Sequence, residues 1–133
     1  MKFLCLFHFA DNAFAGLTPE EMRCLDDATI EHDRKLRASG HLLIASPLDD
    51  VSTEEVIDRR RSLRMEEVDG PFAEAKEVIG GVVIIEARDM AEAKALFADD
   101  PIAAHCRIQI RPLRDMDKHS ETGEGRPEFQ PAG

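Results

Sequence analysis

Alternation and helical periodicity divide the chain into strand, helix, strand, a long connection, strand, helix and strand. Over residues 2–9, Phe3, Cys5, Phe7 and Phe9 fall on one side and Lys2, Leu4, Leu6 and His8 on the other, so this strand is apolar on both faces for most of its length. Thr18-Pro19-Glu20-Glu21 starts a helix, with a Thr N-cap, Pro at the first helical position and Glu at the third completing a capping box. The helix is expected to run to about Ser39, with Gly40 ending it. Within it Met22, Leu25, Thr29, His32 and Leu36 form one stripe, opposite Arg23, Asp27, Glu31 and Arg34. His32 is therefore turned toward the core or its edge. A second strand follows from His41 to Leu48, stopped by Pro47 and the acidic Asp49-Asp50.

Residues 51–68 mix two patterns. Val51 to Ile57 could open a helix, whereas Leu63, Met65 and Val68 alternate more as a strand would, and extended structure is expected after Leu63. Asp69-Gly70-Pro71 is then a turn: Gly70 takes dihedrals closed to other residues, Pro71 fixes its own φ, and Asp69 can accept from nearby backbone N–H groups. It delivers Phe72, Glu74, Lys76 and Glu77 ahead of a β-branched strand, Gly81 to Ala87, expected to open at Gly80-Gly81. Asp89 and Glu92 cap a short helix over Met90 to Ala98, which closes before Asp99-Asp100-Pro101. The last strand, Cys106 to Arg111, has Cys106, Ile108 and Ile110 on its apolar face.

This order is the split β-α-β plan of a ferredoxin-like α+β fold, βαββαβ with an insertion between strands 2 and 3. One domain is expected over residues 1–114, and residues 115–133 read as a polar, mobile tail. Two helices cover only one face of a four-stranded sheet. Because the first and third strands are apolar on both sides, the bare face should meet a second copy, giving a homodimer with facing sheets.

Charge and composition narrow the functional classes. A formal net charge of −10 argues against a nucleic-acid partner, and the one basic cluster, Arg59-Arg60-Arg61, is hemmed by Glu54, Glu55, Asp58, Glu66 and Glu67. No apolar run approaches the roughly 18–20 residues needed to cross a bilayer. The apolar start is interrupted by His8 and lacks a small-x-small cleavage pattern, so a cytoplasmic protein with no membrane partner is expected. Cys5, Cys24 and Cys106 are an odd set at wide spacing and read as buried free thiols. His8, His32, His41 and His105 show no HxH or HxxxH spacing, and no phosphate loop or cofactor motif is present; neither a metal nor a cofactor is expected.

The candidate chemistry lies at three places. His32, on an apolar stripe, could be a general base or a satisfied core histidine. Glu74, Lys76 and Glu77, beside Phe72 and with Asp69 anchoring the turn, could hold a polar substrate or simply clasp the loop. His8, Arg107, Gln109 and Arg111 can share the face opposite the helices, where the arginines could bind a small anionic ligand or make interface salt bridges.

The run Asp69 to Glu77, DGPFAEAKE, resembles the signature of the DGPF branch of the YCII-related family. Leu17 to Met22, the strand from Gly80 to Ala87 and the ending Ile110-Arg111-Pro112-Leu113 resemble its first helix start, the strand after the signature and the last strand; the resemblance covers residues 1–114. It implies a ferredoxin-like domain that pairs into a dimeric α-β barrel. It also implies small-molecule chemistry through a His and an Asp, with dehydrochlorinase-type elimination as one example. Taken together with the residues above, the expected catalytic set is His32, Asp69 and Lys76, with Phe72, Glu74, Glu77, His8, Arg107 and Arg111 expected on the substrate, the set of a lyase or isomerase acting on a small anionic substrate. The chain departs from the relatives in two places: their helix histidine falls about one turn earlier, near Thr29, and residues 51–68 lack their alternating hairpin. The alternative implied is a non-catalytic ligand-sensing or protein-interaction module associated with sigma-factor signalling.

Overall fold

The computed structural model describes residues 1–60, 77–114 and 117–127. Its elements are β1 (Lys2–Ala10), α1 (Pro19–Ala38), β2 (Leu42–Pro47), a 3₁₀ turn (Val51–Thr53), β3 (Glu77–Glu86), α2 (Met90–Phe97), a second 3₁₀ turn (Pro101–Ala104) and β4 (Arg107–Pro112). The strands form one four-stranded antiparallel sheet in the order β2-β3-β1-β4. That is the ferredoxin-like arrangement, an α+β fold with both helices on one face. No helix among the described residues is long and apolar enough to cross a membrane.

The helices form where their caps direct. Thr18 Oγ1 accepts from the Glu21 amide and Glu21 Oε1 accepts from the Thr18 amide, each at 3.1 Å, and Gly40 at φ 85° turns the chain away after Ser39. At α2, Asp89 accepts from the Glu92 amide at 2.8 Å while Glu92 accepts from the Arg88 amide at 3.0 Å. Every member of the α1 stripe is buried or half-buried, and Arg23, Asp27, Glu31 and Arg34 are exposed. The core between helices and sheet is Phe3, Cys5, Phe7, Leu36, Leu42, Val83, Ile85, Ala87, Ala93 and Phe97.

The other face of the sheet is different. Leu4 pairs with Ile84 on one side and Arg111 on the other, and Leu6 pairs with Val82 and Gln109; with Ile44 of β2 they make an apolar, half-open surface. Its edge on β4 is polar.

One open alternative is decided and two local expectations are corrected; the extended structure expected after Leu63 lies outside the described residues. The segment from Val51 makes a single 3₁₀ turn, because Asp50 accepts from the Ser52 amide and the chain extends again at Glu54. Gly80 and Gly81 lie inside β3 rather than at its start, since β3 already begins at Glu77. The register shifts there: Phe7 faces Gly81 while His8 faces Ile79, leaving Gly80 as the extra residue of a β-bulge. A Cβ on Gly80 would sit 2.7 Å from Phe9 Cδ2, so the bare backbone is what lets that ring lie against β3. Third, only Cys5 is fully buried, whereas Cys24 is exposed on α1. Burial alone pushes the Cys5 thiol up to about 12, which removes it from thiolate chemistry.

Candidate functional site

A cleft of about 690 Å³ opens on the helix side of the sheet, between α1, the end of β2 and the start of β3. Alternation along β1 sends Phe7 and Phe9 into it. Phe14 stacks on Phe9 at 5.5 Å between centroids, and Val78, Val83, Ile30 and Ile102 complete an apolar wall. The polar lining is acidic. Asp26 and Asp33 come from α1 beside Thr29, Asp49 and Asp50 from the exit of β2, and Asp100 from the turn after α2, with no Lys, Arg or His among the described lining residues.

Asp100 joins this cleft to His32. Only 6% of either residue is exposed, and Asp100 Oδ2 lies 3.4 Å from His32 Nδ1. Asp100 Oδ1 accepts from the Ile102 amide at 3.1 Å, which caps the 3₁₀ turn and fixes the carboxyl in place. On the far side of the imidazole, Nε2 is 3.0 Å from the Leu96 carbonyl oxygen. A carbonyl can only accept, so Nε2 carries a hydrogen. In a neutral ring Nδ1 would then present a lone pair to Asp100, and Nδ1 is the buried side-chain atom without a hydrogen-bond partner. Asp100 Oδ2 faces it at 3.4 Å without forming a hydrogen bond.

Burial and like charge favour the protonated form of the neighbouring carboxyls. Burial raises the Asp100 carboxyl above its ordinary range, opposed by the Ile102 hydrogen bond and by His32, and assisted by Asp99. Asp33 is also raised, first by burial and then by the charge of Asp100, with His32 opposing. Two carboxyls sharing a poorly hydrated region cannot both ionise freely.

The expected site residues divide between the two faces of the sheet. His32 lies on the helix side, behind Asp100. On the open side, His8 Nε2 is 2.9 Å from Gln109 Oε1, and His8 faces Arg107 across the β1–β4 pair. Arg107 is held by Glu77 in an ion pair of 2.9 Å, and Arg111 stands opposite Leu4. Thus His8, Arg107, Gln109 and Glu77 come together, but the sheet separates them from His32. Asp69, Phe72, Glu74 and Lys76 lie outside the described residues. Of the basic cluster, Arg60 is paired with Asp58 at 2.7 Å, a solvated ion pair.

Sequence reasoning missed Asp33 and Asp100. Asp100 was legible only as a helix stop in Asp99-Asp100-Pro101, and Asp33 as the neighbour of His32. The available signal was that an aspartate beside a stripe histidine sits on the stripe's edge, where it is half-buried.

Residues 1–117 match the model of the YCII-related domain. The chain belongs to the YCII-related family. This YCII-related protein is similar in structure to 5-chloro-2-hydroxyhydroquinone dehydrochlorinase from Burkholderia phenoliruptrix AC1100, solved in complex with 2,5-dihydroxybenzoquinone. The identity is 15%, the match covers 86% of this chain and 95% of that one, and the TM-score is 0.48. No curated protein matches the YCII-related chain in sequence.

Proposed function

We propose that the helix-side cleft is a small-molecule site in which the His32–Asp100 pair passes a proton to the bound ligand or takes one from it, the chemistry of a lyase or isomerase. One observation carries this reading: a buried His–Asp pair with an unpartnered Nδ1, whose carboxyl forms part of a cleft wall. Asp100 is the group that meets the ligand. His32, anchored through Nε2 to the Leu96 carbonyl, sits behind it and supplies or receives the proton at Nδ1. A carboxyl poised above its ordinary range is suited to act as an acid nearer neutral pH than an exposed one. Asp69 and Lys76 stay in the proposal as groups that the segment ahead of β3 would bring to the site, since Val78 to Gly81 directly follow it and line the cleft.

Assembly is the second part of the reading. The homodimer with facing sheets, closing into an α-β barrel, draws its support from the half-open apolar face of Leu4, Leu6, Ile44, Val82 and Ile84. Arg107 and Arg111 then stand at the rim of the enclosed space. The anion expected from the sequence would belong on that side. The module reading has one observation in its favour, the exposed pair Val56 and Ile57, at 75% and 90% exposure, which a protein partner could cover.

The test is a metabolite thermal-shift screen on wild type, His32→Gln and Asp100→Asn. The side-chain amide oxygen of the Asp100→Asn variant can still accept from the Ile102 backbone amide, so that variant should keep its fold. Binders that stabilise wild type are expected to lose most of their effect in both variants. Equal stabilisation of all three would remove the pair from the site.

A further inference from the structure

We propose that the stretch Glu54–Asp58 is an arm that adds to the β4 edge of a second copy of this chain as a further antiparallel strand. The contact takes up the exposed Val56 and Ile57 and leaves the cleft untouched, so it stands or falls apart from the proton-transfer reading.

The arm has the make-up of a strand. After the first 3₁₀ turn Glu54 is extended, with φ −71° and ψ 152°, and residues 54–60 are exposed and belong to no helix or strand. Val56 and Ile57 stand 75% and 90% exposed. Two adjacent β-branched residues in extended backbone have the composition of a strand without a sheet.

The β4 edge is its complement. β4 is an outer strand of the sheet, and among the described residues it pairs with β1 alone. The Leu113 amide donates to the Lys2 carbonyl at 2.8 Å, and hydrogen-bonded pairs alternate along an antiparallel ladder, so Arg107, Gln109 and Arg111 bond toward β1. Ile108 and Ile110 therefore direct their backbone groups outward, where a further strand would meet them. Both are only half-buried, and with Phe97, Ala98 and Cys106 they line a shallow groove of about 230 Å³ between α2 and β4.

One register satisfies both sides. Ile57 opposite Ile108 and Glu55 opposite Ile110 become the hydrogen-bonded pairs; Ile57 enters the groove, and Glu55 falls on the side that Lys94 borders. On the open face the same register sets Glu54 against Arg111, Val56 against Gln109 and Asp58 against Arg107, in the closer, non-hydrogen-bonded positions. Pairing β4 with another β4 about Gln109 has the opposite result, because it sets Arg107 against Arg111 of the partner subunit. β2 and β4 are the two outer strands with β3 and β1 between them, so an arm that leaves β2 meets the β4 of another copy rather than its own. Five residues fall far short of the roughly 1,200 Å² of a stable interface, which makes this a weak association seen only at high concentration.

The test is NMR on the full chain from about 0.05 mM to about 1 mM, the range in which a weak contact fills. Signals of Ile57, Ile108 and Ile110 are expected to shift together with concentration in wild type. A charge swap is placed at Glu54 and Arg111, because Asp58 and Arg107 already hold ion pairs of 2.7 and 2.9 Å with Arg60 and Glu77. Glu54→Arg and Arg111→Glu should each weaken the association several-fold, and an equal mixture of the two variants should recover it, since every arm then finds a complementary edge. Ile57→Ser should abolish it without lowering the unfolding midpoint, because Ile57 is exposed in the fold. Shifts at these residues that do not depend on concentration would mean an arm on its own β4 or on none, and would overturn the proposal. So would an association that ignores the charge swap, or one that leaves Ile108 and Ile110 unmoved.

Discussion

Gly80 shows how much one missing side chain can decide. The β-bulge it occupies turns Phe9 onto β3 and so builds one wall of the cleft. Gly80→Ala is expected to push the Phe9 ring away and cost about 1–3 kcal/mol, as overpacking does. Gly81→Ala should be nearly neutral by comparison, because its nearest neighbour would be 3.6 Å away. Urea unfolding of the two variants checks the contrast, and adding Phe9→Leu to Gly80→Ala should restore most of the loss. Equal effects at the two glycines would refute the close approach.

Asp33 carries the second residue-scale prediction. Its carboxyl, raised by burial and by Asp100, keeps its proton to higher pH in the native state than in the unfolded chain. Between those two pH values the native state holds more protons, so stability falls as pH rises through that window. Asp33→Asn removes the loss and should be more stable than wild type at pH 7. The gain is held to about 0.5–1 kcal/mol because solvent screens a half-buried carboxyl. The difference should shrink toward about pH 4, where an ordinary Asp side chain is itself half-protonated. Paired denaturation curves at the two pH values read this directly. A gain that is larger at the acid end would contradict it.

At the level of elements, capping chemistry made the sequence readable. Thr18 and Glu21 specify the start of α1 through a reciprocal pair of hydrogen bonds, and at α2 Asp89 accepts from the Glu92 amide while Glu92 accepts from the Arg88 amide. Thr18→Ala should therefore cost about 1 kcal/mol, seen as a lower thermal midpoint without change in far-UV CD of the native state. No loss would mean that packing alone holds the end of α1. The alternation of β4 and the stripe of α1 were equally legible, since periodicity of 2 or 3.6 is a local property. The bulge was not. Nothing local distinguishes two glycines that open a strand from two glycines inside one, and the answer depends on Phe9, far away in sequence. The pairing of His32 with Asp100 was hidden for the same reason: the two residues meet only when the turn after α2 packs on α1. Sequence showed a stripe histidine and a helix stop, and only the fold brings them side by side.

At the scale of the molecule, the sheet has two working faces of opposite character. The helix side holds a core and an acidic, aromatic cleft. The open side is apolar at its centre, with His8, Gln109, Arg107 and Glu77 along β1, β3 and β4. If the open side is where two copies meet, Leu6→Glu should convert a dimer of the wild-type chain into a folded monomer in multi-angle light scattering. A wild-type monomer at micromolar concentration would defeat the dimer. Placing His32 on one face and the arginines on the other also means that a single ligand cannot use both sets within one copy. The site therefore has to be decided by where a ligand binds. A crystallographic soak with a mixture of small amines, alcohols and carboxylates measures this most directly. The expected result is density between α1 and β3, in contact with Phe9 and within hydrogen-bond reach of Asp100. Density confined to the open face, against Leu6 and Arg107, with the cleft empty, would contradict it.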